Sequence, residues 1–261
     1  MHIDDLLIEI HRGETPLIPA TWAQGRTIYG GLTAAILLQA AMRGIDPERK
    51  LRTMDVNFTR PFEAEKPYDI EVETLGEGRT LSVVQARLIQ EGKLRAIIRA
   101  DFCRPLDSDK AVSTFELPAL RSQTESFPIQ GPMVPTFFQH MEAYLASHVP
   151  PFGGKPYPEM NGWMRYKEAP NEMTIPHLVG LIDAWPPTAA TYRDRPVPVS
   201  TISWHMHFTL DADDFGPEDF LGYRSKVSFD EAGISSSTAH IWRPDGRLLA
   251  KSVQSNVIYD K

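Results

Sequence analysis

The chain has 261 residues, 42% of them hydrophobic, and a formal net charge of −7. About three quarters of the unfolded surface of a chain this long can be buried, which suits one large core or two smaller ones. The acidic balance argues against a nucleic-acid or anionic-membrane partner, and the single cysteine, Cys103, excludes an intramolecular disulfide or a one-chain thiolate cluster.

The opening stretch, MHIDDLLIEIHRGE, alternates charged with apolar residues too early for a signal peptide. No run approaches the ~18 apolar residues of a membrane-spanning helix. Together these features read as a soluble, cytoplasmic protein with no membrane partner. The first strong element is YGGLTAAILLQAAM, Tyr29 to Met42, which is apolar all round and therefore reads as a buried helix. Gly30 and Gly31 stand at its start, and Gly44 follows its end, where a capping glycine is expected.

A β-rich stretch follows. LRTMDVNFTRPF and YDIEVETLGEG both alternate, and RTLSVVQARLIQEGKLRAIIRADFCRP reads as two strands turning at Glu91-Gly92. From Arg104 to about Glu172 the chain is rich in proline, including Pro105, Pro118, Pro132, Pro150, Pro151 and Pro156. That segment reads as a connector packed on the core, with one helix-like piece in PTFFQHMEAYLASH.

The second half then repeats the first. MTIPHLVGLIDAWPP is an apolar helix with Thr174 as N-cap and Pro176 in its first turn. VSTISWHMHFTL, FLGYRSKVSFDEAG and ISSSTAHIWRPDGRLLAKSVQSNVIYD follow in the same order as their first-half counterparts, and the turn glycines Gly92 and Gly246 are 154 residues apart. A helix that is apolar on every side needs cover on every side, which a curved antiparallel sheet provides. Two such units with paired sheets describe an α+β double hotdog. The expected division is an N-terminal repeat over 1–115, a connector over 116–172 and a C-terminal repeat over 173–261.

With YGGLTAAILLQAA, LRTMDVNFTRPF, VSTISWHMHF and LLAKSVQSNVI in this order, the chain resembles the acyl-CoA thioesterase II (TesB-like) family of double-hotdog hydrolases. The resemblance implies a catalytic carboxylate at Asp183, a hydroxyl at Thr201 and a glutamine at Gln254, which hold and activate the water that attacks the thioester. It implies release of free fatty acid and CoA from an acyl-CoA, with no metal or other cofactor. The sequence departs from the family pattern at Leu32, at Ser203-Trp204 and at Ser255-Asn256, where glutamine, Asp-His and Glu-Gly are common.

The residues carry some of this reading unaided. Asp183 lies among Leu178, Val179, Leu181, Ile182 and Trp185, and burial would raise its pKa. The bland alternative is a structural salt bridge to Arg193 or Arg195. Gln254 shares a strand face with Ala250, Ser252 and Asn256, a polar face suited to a cleft, and at the 154-residue spacing its twin is Ala100. Gly30 and Gly31 could offer backbone N–H groups to a thioester oxygen, or simply admit the chain to a tight helix start. His205 and His207 share a strand face without a third ligand in the sequence, and Cys103 reads as a packing residue. GISSS ends in serine, so no G-x-S-x-G elbow is present. Competing readings are a non-catalytic acyl thioester-binding protein of the same fold and a hotdog enoyl-CoA hydratase, which would need a histidine close to the aspartate. Exposed sheet edges in such folds favour a homo-oligomer.

Overall fold

Apolar residues at positions 3, 6, 7 and 10 repeat with helical spacing and line the buried face of α1, Ile3–Arg12. His2 Nδ1 accepts the Asp4 N–H, the Asp5 carboxylate accepts the His2 N–H, and Gly13, at φ 91°, ends the helix. The opening stretch is thus an amphipathic helix, and its charge alternation is a consequence of the helical period. The structure is a computed structural model and describes residues 1–131, 134–147, 149–155 and 157–260. Pro132 and Pro156 of the proline-rich segment, and His148 at the end of its helix-like piece, lie outside the described residues.

A short ribbon, β1 (Ala23–Gln24) and β2 (Thr27–Ile28), leads into α2, Gly30–Ala41, which is buried on every side except at Gly30 and Gln39. The chain then forms β3 (Lys50–Phe58), β4 (Asp69–Glu77), β5 (Leu81–Gln90) and β6 (Lys93–Cys103). Glu91 and Gly92 both take positive φ, 54° and 69°, as a two-residue turn matched to the twist of its strands demands.

The proline-rich segment contributes β7 (Phe127–Pro128), β8 (Met141–Leu145) and β9 (Glu159–Tyr166). The helix-like piece is not an α-helix: a 3-10 turn, Thr136–His140, starts behind Pro135 and runs directly into β8. Met141, Ala143 and Leu145 are buried in alternation with Glu142 and Tyr144, a strand period that pairing with β9 satisfies. Phe137 and Phe138 anchor the turn in the core. The second half forms α3 (Ile175–Ile182), β10 (Val199–Phe208), β11 (Leu221–Glu231), β12 (Ile234–Trp242) and β13 (Leu248–Ile258).

Eleven strands make one sheet in the order β4-β5-β6-β3-β10-β13-β12-β11-β9-β8-β7. The two repeats run in opposite directions from their junction at β3 and β10, where Met54 faces Met206 and Val56 faces Trp204. Met54 pairs with Ala100 in the first repeat and Trp204 with Gln254 in the second; Ala100 and Gln254 are 154 residues apart, whereas Met54 and Trp204 are 150 apart, so the spacing seen in the sequence holds for β6 and β13 but not for the strands they pair with. Helices α2 and α3 pack on each other, and α1 packs on α2, completing the expected double hotdog. Two buried phenols fasten α3: Tyr29 Oη donates to the Gly180 carbonyl at 2.6 Å, and Tyr166 Oη donates to that of His177 at 2.9 Å. His177 Nε2 also meets Asp4 at 2.9 Å, tying α3 to α1. Among the described residues no helix is long and apolar enough to cross a membrane.

Leu38 is fully buried in the middle of α2. Leu38→Ala removes its contacts and leaves a cavity, with an expected loss of about 2–5 kcal/mol. Denaturant unfolding checks this: the midpoint should fall with the slope unchanged.

Candidate active site

Three elements bring the site together. Helix α3 ends at Asp183, beyond which Pro186 and Pro187 cannot continue the helical bonding. Its carboxylate meets β13, where Gln254 Nε2 donates to Oδ1 at 2.7 Å. It also meets the start of α2, where the Gly31 N–H donates to it. The negative end of α3 opposes a charge on Asp183, and the positive end of α2 favours it. Burial outweighs both donors and pushes the Asp183 pKa up to about 7, while Gln254 and the Gly31 N–H hold it down from a higher value.

Gly30 has a steric role at this point. A Cβ there would lie 2.7 Å from Asp183 Oδ2 and 3.2 Å from the Phe58 ring. Only glycine lets the helix start approach the acid this closely. Gly31 is buried and its N–H is committed to Asp183, whereas Gly30 remains partly accessible. The two glycines therefore differ in what they can offer a substrate. Burial also raises the phenols of Tyr29 and Tyr223, and the nearby Asp183 raises them further, so both stay protonated. Tyr223 stacks on Trp185 with centroids 4.9 Å apart and planes 5° from parallel.

Thr201 lies one step along the same polar face. Its hydroxyl donates to Asn256 Oδ1 at 3.2 Å, and Asn256, which is 1% exposed, is two residues from Gln254 on β13. A register shift between Thr201 and Ser203 leaves Ile202 without a partner on β13, and its carbonyl accepts from Asn57 Nδ2 of β3 at 3.2 Å. The structure thus brings Asp183, Gln254 and both glycines into one cluster and sets Thr201 beside it through Asn256. Arg193 does not pair with Asp183: it binds Asp230 and Asp260. Cys103 is half-buried at the far end of β6, opposite Lys50 and Leu81.

The family model for the acyl-CoA thioesterase N-terminal domain matches residues 18–114, and that for the C-terminal domain matches residues 112–258. The chain belongs to the acyl-CoA thioesterase family. A related sequence is acyl-CoA thioesterase 2 of Haemophilus influenzae, 23% identical over 290 residues, covering 98% of this chain and 93% of that one. Similar solved structures include a hot dog fold protein of unknown function from Alicyclobacillus acidocaldarius, with TM-score 0.81 and 22% identity over 94% of this chain and 92% of that one. Another is the tesB protein of Mycobacterium avium subs paratuberculosis, with TM-score 0.77 and 18% identity over 98% and 99% of the two chains.

Within this thioesterase the departures from the family pattern have distinct settings. Leu32 is fully buried in the core, Trp204 is buried with Nε1 donating to Ser252 Oγ at 2.8 Å, and Asn256 supplies the partner of Thr201. Asn256 and Tyr29 are the neighbours of the site that sequence reasoning left without a role. The polar face of β13 was the available signal for Asn256. Nothing local marks Tyr29, because its partner Gly180 is 151 residues away.

Asp183 binds its proton more tightly in the folded chain than in the unfolded one. The stabilisation from that proton is full below the ordinary carboxylate range and is lost as pH rises through about 7. Asp183→Asn removes this titration. Its melting temperature should therefore fall less than that of the unaltered chain between pH 4 and pH 8, as measured by calorimetry at matched ionic strength.

Proposed function

We propose that this thioester hydrolase cleaves an acyl-CoA to free fatty acid and CoA, with water activated by Asp183 and positioned by Gln254 and Thr201. The observation that carries this reading is a buried carboxylate with its pKa pushed up to about 7, bonded to Gln254 at 2.7 Å and, among the described residues, without an arginine partner. A carboxylate poised near the working pH is a competent general base, and its burial keeps the exchange of protons local.

The remaining groups have matching capacities. Gln254 gives one N–H to Asp183 and keeps its second N–H and its carbonyl for the water. The Thr201 proton is directed to Asn256 Oδ1, so the lone pairs of the hydroxyl are left to accept from the water. The Gly30 N–H at the start of α2 has no partner within the helix and suits the thioester oxygen.

Water attacks the thioester carbon as Asp183 takes its proton, and the carbonyl π electrons move to oxygen. The tetrahedral anion collapses, the C–S bond breaks, and the CoA thiolate leaves with its electron pair. Asp183 returns its proton to that sulfur. The scheme requires neither metal nor other cofactor. A homo-oligomer accompanies this reading, supported by β4, which lies at an edge of the sheet with a largely exposed row of residues.

Thiol release measured across short, medium, long and aromatic acyl-CoAs tests the proposal. Asp183→Asn should lower kcat by roughly 10²–10⁴-fold, the usual worth of a general base. Gln254→Ala and Thr201→Ala should cause smaller losses. In the unaltered chain kcat/KM should rise with pH through about 7, as the base loses its proton. A folded, unaltered chain that binds acyl-CoA but releases no thiol from any of them would establish the non-catalytic binder instead.

A further inference from the structure

His205 and His207 point away from the core on β10, close to its junction with β3. Asp55 of β3 pairs directly with His205, and its carboxylate contacts the Nδ1 side of that ring. A carboxylate there fixes the proton on Nδ1 and leaves the Nε2 lone pair free. That Nε2 lies 3.0 Å from Nε2 of His207, with the two rings nearly perpendicular at 80°. The result is a line from Asp55 through His205 to His207, closed by one proton between two nitrogens.

The geometry points to a binding site for a borderline divalent transition ion, of the zinc, copper and nickel class, between the Nε2 atoms of His205 and His207. Two imidazole nitrogens at about 2.0–2.1 Å from a tetrahedral ion lie roughly 3.3 Å apart, so the observed 3.0 Å gap needs to open by only about 0.3 Å to admit one. Imidazole ligands select this class of ion over magnesium and calcium. Asp55 supplies the outer-shell carboxylate that orients a metal-binding histidine. For the ion to enter, His207 carries its proton on Nδ1, a tautomer change that leaves the charge of the ring unaltered.

Among the described residues no three His, Cys, Asp or Glu side chains converge as a metal cluster, so the other coordination positions are open to water. The outward face of β10 is the opposite one from Trp204 and Met206, which are buried in the core. The site is therefore separate from the reaction centre and independent of the proposed mechanism.

Calorimetric titration of the purified full chain with Zn²⁺ tests the site, with Mg²⁺ as the comparison ion. The expected result is one Zn²⁺ per chain and no Mg²⁺. His205→Ala and His207→Ala should each abolish binding, and Asp55→Asn should weaken it roughly ten- to a hundredfold. His207→Ala should leave the circular dichroism spectrum and any acyl-CoA hydrolysis unchanged. Absence of Zn²⁺ binding in the unaltered chain would overturn the inference. So would equal binding by the His205→Ala/His207→Ala double variant, because the chain holds 8 histidines and others would then be the ligands.

Discussion

The carboxylate of Asp183 sits where the end of one buried helix meets the start of the other, and much of the architecture follows from making that position tenable. An acid in such a place costs stability unless donors reach it. Two do, one from α2 and one from β13. Meeting both requires α2 to start within contact distance of the end of α3, which in turn requires glycine at position 30. The Tyr29 hydroxyl, bonded to the Gly180 carbonyl, fastens the same two helices just beside the acid. The α2–α3 contact is thus both the centre of the core and the frame of the site.

Because the acid lies at that contact, neither repeat builds the site alone. The N-terminal repeat gives the helix start with Gly30 and Gly31, and the C-terminal repeat gives Asp183, Gln254, Thr201 and Asn256. The continuous sheet fixes the distance between them through the β3–β10 pairing. The two halves are similar, but the polar side chains of the candidate site are confined to the second. Ala100 occupies the register position that Gln254 holds in the other repeat, and α2 carries no acid at all.

The amino-acid order made the repeats legible because their signals are local. Strand alternation, a two-residue turn at Glu91-Gly92 and helices apolar all round are each visible within a dozen residues. Asp183 stood out for the same reason: an acid in an apolar helix is a local anomaly. What stayed hidden depends on contacts between distant segments. The Thr136–Leu145 stretch looked helical because Phe137, Met141 and Tyr144 fall at helix-like intervals, yet pairing with β9 turned its second half, Met141–Leu145, into a strand. The opening helix was obscured by a charge pattern that fits either period over a few residues. The Gly31 N–H illustrates the same limit in the site: a glycine pair at a helix start signals available donors, but only the fold shows that one of them is spent on Asp183.

That expenditure changes how the site must balance its charges. If both glycine N–H groups faced the substrate, Asp183 would keep only Gln254 as donor and its pKa would rise further, leaving little base at neutral pH. If further donors reached Asp183, its pKa would drop and it would hold the proton of water too weakly to help. One backbone N–H and one amide N–H, set against full desolvation, place it near neutrality. The Thr201 hydroxyl is kept out of that balance because its proton goes to Asn256; in the proposed mechanism it therefore orients water without making the acid a poorer base. On the proposed reading the donors Gly31 and Gln254 tune one carboxylate, while Asn256 accepts the Thr201 proton and keeps that hydroxyl out of the balance.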